Sequence, residues 1–471
     1  MLLYRWPKKA IIVIVIILSL MIGVKFLRHK ILGVVSFIHG LHPVSLPTLV
    51  AIKKQSERTT VDFAPLFSHL YSCPVCFGYG ICNQVMKSSI LFHGELVMPY
   101  NNRIVWKKGV LHTQRVLISS LVAEEWNRFD EFICRNASYS VPCDIPAAIW
   151  KTSLALDNLL KPDNFKNLNI LLDIPFNQFA LPVCSSKKLL KEIKKSFDEN
   201  FDGHISREER IQLLTSLIMQ PGYVVMKLQA KTKMTMPIPN LLGACGRSVV
   251  LEGGLKPLKS FLSESFDTRA GLAIQVLQLV QDFEEEDPQW YFLLVDFSLD
   301  GIVVTKDGEV VVIDLDNLVV LDKATFLPGS SVSDTALCNE VCFQKITIEM
   351  FYEPSNSSSC SHISKYGQLM YALVCKDVLS NIEDHKSEGF FNFDGHRVHK
   401  RKKHPGLLHK IPLVIEDSVE SLLRECVQET KPNGRLKAVT QLRDLLENYV
   451  NVNNFESHVF SKNTFKFSKK V

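Results

Sequence analysis

The sequence has little excess charge of either sign and only one long apolar run, and these absences exclude several classes of protein. Lys and Arg number 54 against 49 Asp and Glu in 471 residues, so the net charge of +5 gives no sign of a nucleic-acid-binding surface. A single apolar run excludes a polytopic membrane protein. With 46% hydrophobic and 22% charged residues and no internal repeat, the chain is globular rather than disordered, collagen-like or a long coiled coil.

The one long apolar run lies near the N-terminus. Residues 10–24 carry no charge, and Lys25 can snorkel so that the run extends to Leu27. This length is intermediate between a signal-peptide core and a membrane span. We therefore expect a signal anchor at 10–27, with a cleaved signal peptide as the second reading and a buried soluble helix as the third.

The first two readings place the rest of the chain in the secretory lumen. We expect a single-pass protein of the Golgi or endoplasmic reticulum membrane with a lumenal C-terminus, or a protein secreted after cleavage. The chain contains 12 cysteines, most of which would pair in that compartment, although the connectivity stays open. Cys73 and Cys76 have the spacing of half a zinc site, but no second CxxC accompanies them. Sequons at Asn136 and Asn356 predict glycosylation.

Strand-like runs come early in the chain, and helical patterns dominate its last 110 residues. Apolar residues of helical period predict one helix over 122–133 and another over 269–283. Four β-rich runs follow between residues 291 and 321, with a turn at 306–308. This order predicts an α+β protein with a mixed lobe and a helical lobe.

Residues 198–209 fit the twelve-position EF-hand loop at each diagnostic place. Gly203 at position 6 permits the sharp turn, and amphipathic helical patterns flank the loop on both sides. The loop therefore predicts a structural or weak Ca²⁺ site, because no partner loop occurs; a solvated turn is the alternative. The predicted ligands are Asp198, Asn200, Asp202, the His204 carbonyl and Glu209.

Two carboxylates each follow an apolar strand. Asp296 ends one run, a short hairpin intervenes, and Asp314 ends the next, followed by Asp316. A hairpin can return the chain and bring both carboxylates to one edge. Phosphoryl transfer needs one carboxylate near the acceptor hydroxyl and another holding Mg²⁺ against the phosphates. The alternative is an ordinary pair of strand-end carboxylates capping turns.

The spacing from Asp296 to Asp314 resembles that between the catalytic loop and the metal-binding Asp of protein kinases. More closely, Cys73-Pro-Val-Cys76-Phe-Gly and Leu242-Gly-Ala-Cys-Gly-Arg247 resemble the secretory-pathway divergent protein-kinase-domain family, which includes the deleted-in-autism-related group and its EF-hand-bearing cysteine-rich relatives. The resemblance covers roughly residues 70–450. It implies a bilobal protein-kinase-like fold with an N-terminal signal-anchor helix and an EF-hand insert in the N-terminal lobe.

The resemblance also implies boundaries and roles. The segments are a cytoplasmic tail at 1–9, the anchor at 10–27, a stem at 28–70, a cysteine-rich N-lobe at 71–250 with the insert at 190–218, a C-lobe at 251–450 and a tail at 451–471. Asp296 matches the catalytic base, and Asp314 with Asp316 the Mg²⁺ ligands. Glu125 matches the Glu that pairs with the nucleotide-binding Lys. Glu252 at the hinge and Asp300 complete the nucleotide site.

Three departures bear on activity. The strand that should carry the nucleotide-binding Lys has Ser119 instead, with Lys107 or Lys108 as substitutes, and the second metal ligand Asn is replaced by Gly301, with Asp300 or Asp316 as substitutes. Leu294-Val295 stands in place of the His-Arg before the catalytic Asp. We therefore weigh a kinase that transfers phosphate from ATP to lumenal or secreted acceptors against a pseudokinase that binds a secretory or cell-surface partner. A Golgi glycosyltransferase is a third reading, because Asp314-Leu-Asp316 is similar to a DxD metal motif.

Overall fold

The computed structural model describes residues 69–87, 91–96, 103–165, 168, 181, 184–325, 363–380 and 405–457. They all lie within one of the two compact units of the chain, residues 60–471. The anchor predicted at 10–27, nearly all of the stem and the Asn356 sequon lie outside the described residues. Within the described ranges no helix is long and apolar enough to cross a membrane.

Ten strands lie in the described ranges. They are β1 (Leu91–Leu96), β2 (Ile104–Leu111), β3 (Gln114–Leu121), β4 (Leu241–Cys245), β5 (Ser248–Glu252), β6 (Lys256–Pro257), β7 (Trp290–Leu294), β8 (Ile302–Val304), β9 (Val310–Val312) and β10 (Leu318–Asp322). The first five make an antiparallel sheet in the order β1-β2-β3-β5-β4. Two small sheets follow, β10-β7 and β6-β8-β9. Since β5 belongs to the large sheet as far as Glu252, this sheet extends two residues past the N-lobe boundary expected at 250.

Eleven α-helices are described in these ranges. They are α1 (Cys82–Lys87), α2 (Ala123–Asn136), α3 (Ile145–Ile149), α4 (Pro162–Phe165), α5 (Lys187–Phe197), α6 (Arg207–Met219), α7 (Pro221–Lys231), α8 (Phe266–Glu285), α9 (Ile363–Leu373), α10 (Glu416–Val427) and α11 (Gly434–Ser457). A π-helical turn, Val374–Leu379, continues α9. The order confirms the α+β class and the helical end of the chain.

Helix α2 forms because its apolar residues recur at helical spacing and its ends carry the favourable charges. Trp126, Phe129 and Ile133 are buried on one face. Glu124 and Glu125 lie in its first turn, where carboxylates interact well with the helix dipole. The helix thereby positions Glu125 shortly after the end of β3.

The two motifs that carry the family resemblance lie against each other behind α2. The Phe77 amide donates to the Gly246 carbonyl at 2.8 Å, and a disulfide joins Cys82 to Cys245. Arg247 is buried and binds both carboxylate oxygens of Asp130 on α2. These contacts hold α2 against the sheet.

Cysteine pairing answers two questions that the sequence leaves open. Cys73 and Cys76 form a disulfide with each other, so the zinc reading of this pair is wrong. Further disulfides join Cys134 to Cys143 and Cys375 to Cys426. The second of these pairs ties the end of the α9 segment to α10.

Candidate functional site

The hairpin β8–β9 brings the two predicted carboxylates together. Its strands pair Ile302 with Val312, so the chain that leaves β7 at Asp296 returns at Asp314. The two side chains lie close enough for the charge of Asp296 to raise the pKa of Asp314. This closeness agrees with the expectation from the sequence, and the chemical roles of both carboxylates stay predictions.

Asp314 and Asp316 form the acidic centre of the site. Burial first, and then the carboxylates of Asp316 and Asp296, raise the pKa of Asp314 to about 7. Burial also raises the pKa of Asp316, against the charge of Arg103 and the Gly222 amide, which donates to Asp316 Oδ1 at 3.2 Å. A bound cation would reverse these shifts, because it stabilises the charged carboxylates.

A small cleft opens beside these carboxylates. One wall is the start of β2, another is the α6–α7 junction, and the floor is the segment that follows β9. Its lining residues are Ile104, Trp106, Gln220, Gly222, Met226, Asp300, Gly301, Ile313, Asp314, Leu315 and Asp316. An apolar cleft with a few convergent polar groups is typical of a small-molecule site.

The partner of Glu125 is Arg103, which sequence reasoning missed. Arg103 Nε lies 3.3 Å from Glu125 Oε2, and both side chains are nearly fully buried. Arg128 contacts the other oxygen of Glu125. The charge of Arg103 also acts to lower the pKa of both Asp314 and Asp316, against the larger effect of burial. The two lysines suggested as substitutes, Lys107 and Lys108, are absent from the cleft lining.

Two of the departures from the kinase pattern, Ser119 and Gly301, have structural reasons. Ser119 is fully buried in β3, and its Oγ accepts a hydrogen bond from Gln220 Nε2 at 3.0 Å. Gly301 lies against the acidic centre: a Cβ there would come 3.0 Å from Ser298 Oγ and 3.1 Å from Asp314 Cβ. A side chain at position 301 would therefore crowd Asp314 instead of binding metal beside it.

The remaining predicted nucleotide-site residues lie at different depths. Asp300 lines the cleft and forms an ion pair with Lys259 at 3.2 Å. Glu252 instead bonds to Asn240 at 2.8 Å and Lys306 at 3.1 Å, away from the cleft lining. Hydrogen bonds from Asn240 and Lys306 lower the pKa of Glu252. Contact of its side chain with a nucleotide stays a prediction.

The segment predicted as a calcium loop connects α5 to α6, with Gly203 at a φ of +82°. Asp198 is buried at the loop's first position and accepts the amides of Asp202 and Gly203. Glu209 is buried at the last position and accepts the amides of Glu199 and Ser206. The carboxylates at both ends of the loop thus accept hydrogen bonds from its backbone amides.

No three Asp, Glu, His or Cys side chains lie close enough together to hold a metal ion anywhere in the described ranges. Both the loop and the cleft would therefore need backbone carbonyl, amide or water oxygens beside their carboxylates. Ca²⁺ and Mg²⁺ both accept such oxygens. The donor chemistry fits a hard cation at each place.

Comparison with known proteins agrees with this geometry. A family model described as the protein-kinase domain of FAM69 matches residues 214–429. The chain is 26% identical over 402 residues to "Divergent protein kinase domain 2A" of Xenopus tropicalis, covering 81% of this chain and 87% of the relative. It is 26% identical over 427 residues to the Homo sapiens protein of that name, covering 85% and 91%. It is 23% identical over 411 residues to Homo sapiens "Divergent protein kinase domain 2B", covering 83% and 84%.

The family match includes the α6–α7 junction and both carboxylate-bearing strands, and the relatives extend it over most of the chain. The arrangement of the large sheet, α2 and the carboxylate hairpin agrees with these matches. The chain is thus similar to the divergent protein-kinase-domain proteins over most of its length, and its residues 214–429 match a protein-kinase domain.

Proposed function

We propose that the protein is a divergent kinase of the secretory pathway that transfers phosphate from ATP to hydroxyl groups of lumenal or secreted acceptors. One observation carries the proposal: the Arg103–Glu125 ion pair provides a fixed positive charge facing Asp314 and Asp316. At the position where the kinase pattern has a Lys, β3 carries Ser119. With Arg103 in place, the cleft has both signs of charge that nucleotide phosphates and their metal require.

The roles of the residues follow from phosphoryl-transfer chemistry. Asp314 and Asp316 would hold Mg²⁺, which neutralises phosphate charge when bound. Asp296 accepts the proton of the acceptor hydroxyl as its oxygen bonds to the γ-phosphorus and the bond to the β-phosphate oxygen breaks. Arg103 holds the phosphates, and Glu125 holds Arg103. Lys259 fixes Asp300 at the rim of the cleft.

The secretory location is supported by three features. The apolar run at 10–27 suits an anchor or signal peptide, which puts the enzyme on a membrane of the Golgi or endoplasmic reticulum or releases it. Cysteines of the described residues form disulfides, among them Cys82 with Cys245 and Cys375 with Cys426, and disulfides persist in oxidising compartments. Asn136 is exposed at the end of α2, where a glycan can attach.

The α5–α6 loop would bind Ca²⁺ through Asp198, Asn200, Asp202, the His204 carbonyl and Glu209. Its support is the helix–loop–helix arrangement and the buried carboxylates at positions 1 and 12. Lys227 on α7 lies beside the loop, 2.6 Å from Glu199, and its charge also acts on Glu209. Because a nearby ammonium opposes cation binding, this loop would bind Ca²⁺ weakly.

A pseudokinase that binds a secretory or cell-surface protein is the second candidate, and Gly301 favours it. The second metal ligand of the kinase pattern is missing, and there is little space to restore it. In this case the carboxylate cleft would have no catalytic activity, and the Ca²⁺ loop would stabilise a binding module.

Transfer of labelled phosphate separates these candidates. The full chain, produced in a secretory host so that its disulfides form, is incubated with Mg-ATP and a mixture of secreted proteins. The kinase proposal predicts labelled acceptors with the native chain and none with Asp296→Ala, while Asp307→Ala in the exposed β8–β9 turn retains transfer. Equal labelling by native chain and Asp296→Ala would contradict the catalytic role, and failure to bind nucleotide would favour the pseudokinase.

A further inference from the structure

Gln220 occupies the junction between α6 and α7 and is held from both sides. Its backbone N–H donates to the Ser216 carbonyl at 2.9 Å, and its backbone carbonyl accepts a hydrogen bond from the Tyr223 N–H at 3.0 Å. The side chain is 3% exposed and donates through Nε2 to Ser119 Oγ. Two helices and the buried β3 strand therefore fix its amide group at the wall of the cleft.

Two oxygens beside this cleft have no hydrogen-bond partner among the described residues: Gln220 Oε1 and Asp316 Oδ2. Both belong to side chains that line the cleft. A buried oxygen without a donor costs free energy, and such exceptions in native proteins call for a water or an ion. When Asp316 is ionised, both oxygens are acceptors and cannot satisfy each other, whereas a donor or a cation beside them would.

The surroundings favour a cation. Asp314 lies two residues from Asp316 and adds a second carboxylate, while the nearest fixed positive charge, Arg103, is already paired with Glu125. Carboxylate and amide oxygens are the ligands that Mg²⁺ and Mn²⁺ accept, with waters or phosphates completing the shell. The kinase pattern obtains its amide oxygen from position 301, where this chain has only glycine.

We propose that Gln220 Oε1 is a metal ligand which, with Asp314 and Asp316, forms a divalent-cation site whose amide oxygen comes from the α6–α7 junction instead of the catalytic loop. The site would take Mg²⁺ or Mn²⁺, with or without a nucleotide. Ser119 has a role in the same site, since its hydroxyl orients the Gln220 amide. This inference rests on the proposed function, because it identifies a ligand for the metal of the phosphoryl-transfer site.

A hydroxyl can also donate, and Ser119 would then turn the amide nitrogen of Gln220 toward the cleft. In that orientation Gln220 would bind an anion such as phosphate. Gln220→Met distinguishes the orientations: it weakens cation binding when the oxygen faces the cleft, whereas it leaves cation binding unchanged and weakens anion binding when the nitrogen does. Gln220→Glu, which adds a charged oxygen, should tighten cation binding.

The test is Mn²⁺ binding to the full chain in the absence of nucleotide. The electron paramagnetic resonance signal of free Mn²⁺ measures how much of the ion is bound. Every protein carries Glu209→Gln, so that the α5–α6 loop contributes little. Gln220→Met should weaken Mn²⁺ binding by at least about tenfold. The matched control is Gln229→Met on α7. Gln229 Oε1 is also buried without a partner among the described residues, but it lies outside the cleft lining, so this variant should bind Mn²⁺ as the parent does.

The outcomes separate this inference from the function on which it rests. Native affinity in Gln220→Met, with binding lost in Asp314→Asn, would overturn the Gln220 ligand and leave the kinase proposal standing. Unchanged Mn²⁺ affinity in Gln220→Glu would overturn it as well, should Gln220→Met fail to fold. No Mn²⁺ binding by the parent would overturn both. Tenfold weakening in Gln220→Met without any phosphate transfer would support the metal site and contradict the kinase reaction.

Discussion

Arg103 Nε lies 3.3 Å from Glu125 Oε2, and this buried ion pair holds a positive charge next to a sheet whose strand β3 has Ser119 at the position of the nucleotide-binding Lys. The pair joins the first residue before β2 to the first turn of α2. Both side chains are held in the protein interior, where a charge without a partner is costly. The acidic centre around Asp314 therefore faces a cation from a part of the chain that a kinase pattern does not assign.

Replacement of Arg103 should weaken nucleotide binding. Loss of a charge-assisted contact to phosphate costs about 1.5–3 kcal/mol, or roughly 10–100-fold in affinity. We expect this loss of Mg-ATP affinity in Arg103→Met and a smaller loss in Arg103→Lys, which keeps the charge but not the planar fork. Calorimetric titration measures the affinity, and thermal melting verifies folding. Lys107→Met is the matched control on β2, and a loss as large in that variant would contradict the role of Arg103.

Restoration of a side chain at position 301 should destabilise the fold. A Cβ there meets Ser298 Oγ and Asp314 Cβ at 3.0 and 3.1 Å, so Gly301→Ala forces neighbours to move. Overpacking of this kind costs about 1–3 kcal/mol. Urea denaturation gives the change in the free energy of unfolding. Gly271→Ala in α8, whose Cβ would meet nothing within 4 Å, should instead stabilise by roughly 0.5–1 kcal/mol; equal effects at both positions would contradict the packing argument.

Calcium should raise the melting temperature through the α5–α6 loop. A ligand that binds only the folded state stabilises it by about 2.7 kcal/mol at a hundred times its Kd. Glu209→Gln should abolish the rise while keeping the helix start, because glutamine can replace glutamate in the capping box with Ser206. Glu208→Gln, at the exposed neighbouring position, should respond to Ca²⁺ as the native chain does. A full Ca²⁺ response in Glu209→Gln would contradict the assigned ligand.

Glu284 on α8 should make stability depend on pH. Burial raises its pKa, although the Tyr291 hydroxyl, 2.9 Å from Oε1, opposes this. Because the folded state holds the proton more tightly than the unfolded state, the resulting stability is complete below the unfolded pKa of about 4.3 and is lost as pH rises through the folded pKa. Glu285 disfavours ionisation further, and Lys323 favours it.

The measurement is the melting temperature of Glu284→Gln across pH 4 to 8. The variant should melt above the native protein at pH 8, and the difference should shrink as the pH falls toward 4. Glu285→Gln, at the next and exposed position of α8, removes only a neighbouring charge and should show a much smaller trend. A difference between Glu284→Gln and the native protein that stays constant with pH would contradict the role of burial.

Local patterns in the sequence predicted much of the fold. The apolar spacing in α2 and α8 reports burial of one helix face, and it located both helices to within a few residues. The turn at 306–308 predicted the β8–β9 hairpin, and the hairpin explains why Asp296 and Asp314 converge. The helices and the hairpin depend on residues that are close together in the sequence, and a periodic pattern of apolar residues or a turn motif therefore predicts them.

The residues that sequence reasoning missed depend on tertiary contacts. Arg103 meets Glu125 because β2 pairs with β3, which leads directly into α2, and no local pattern marks an arginine at a strand start as a partner. Gln220 lies between two apolar helices, and only the fold brings it to Ser119. Pro221 and Gly222, a helix-start signal followed by a residue that permits close approach, were the available sign of a junction there. Gly222 allows the contact with Asp316, since a Cβ would lie 3.1 Å from Asp316 Oδ1.

Nucleotide binding by the full chain, measured by calorimetry with and without Mg²⁺, tests most directly whether the acidic cleft is a phosphoryl-transfer site. The account predicts that ATP binds in the presence of Mg²⁺, that binding weakens at least about tenfold without the metal, and that Asp314→Asn abolishes the difference. Absence of ATP binding under both conditions, or equal binding by native chain and Asp314→Asn with the same response to Mg²⁺, would contradict it.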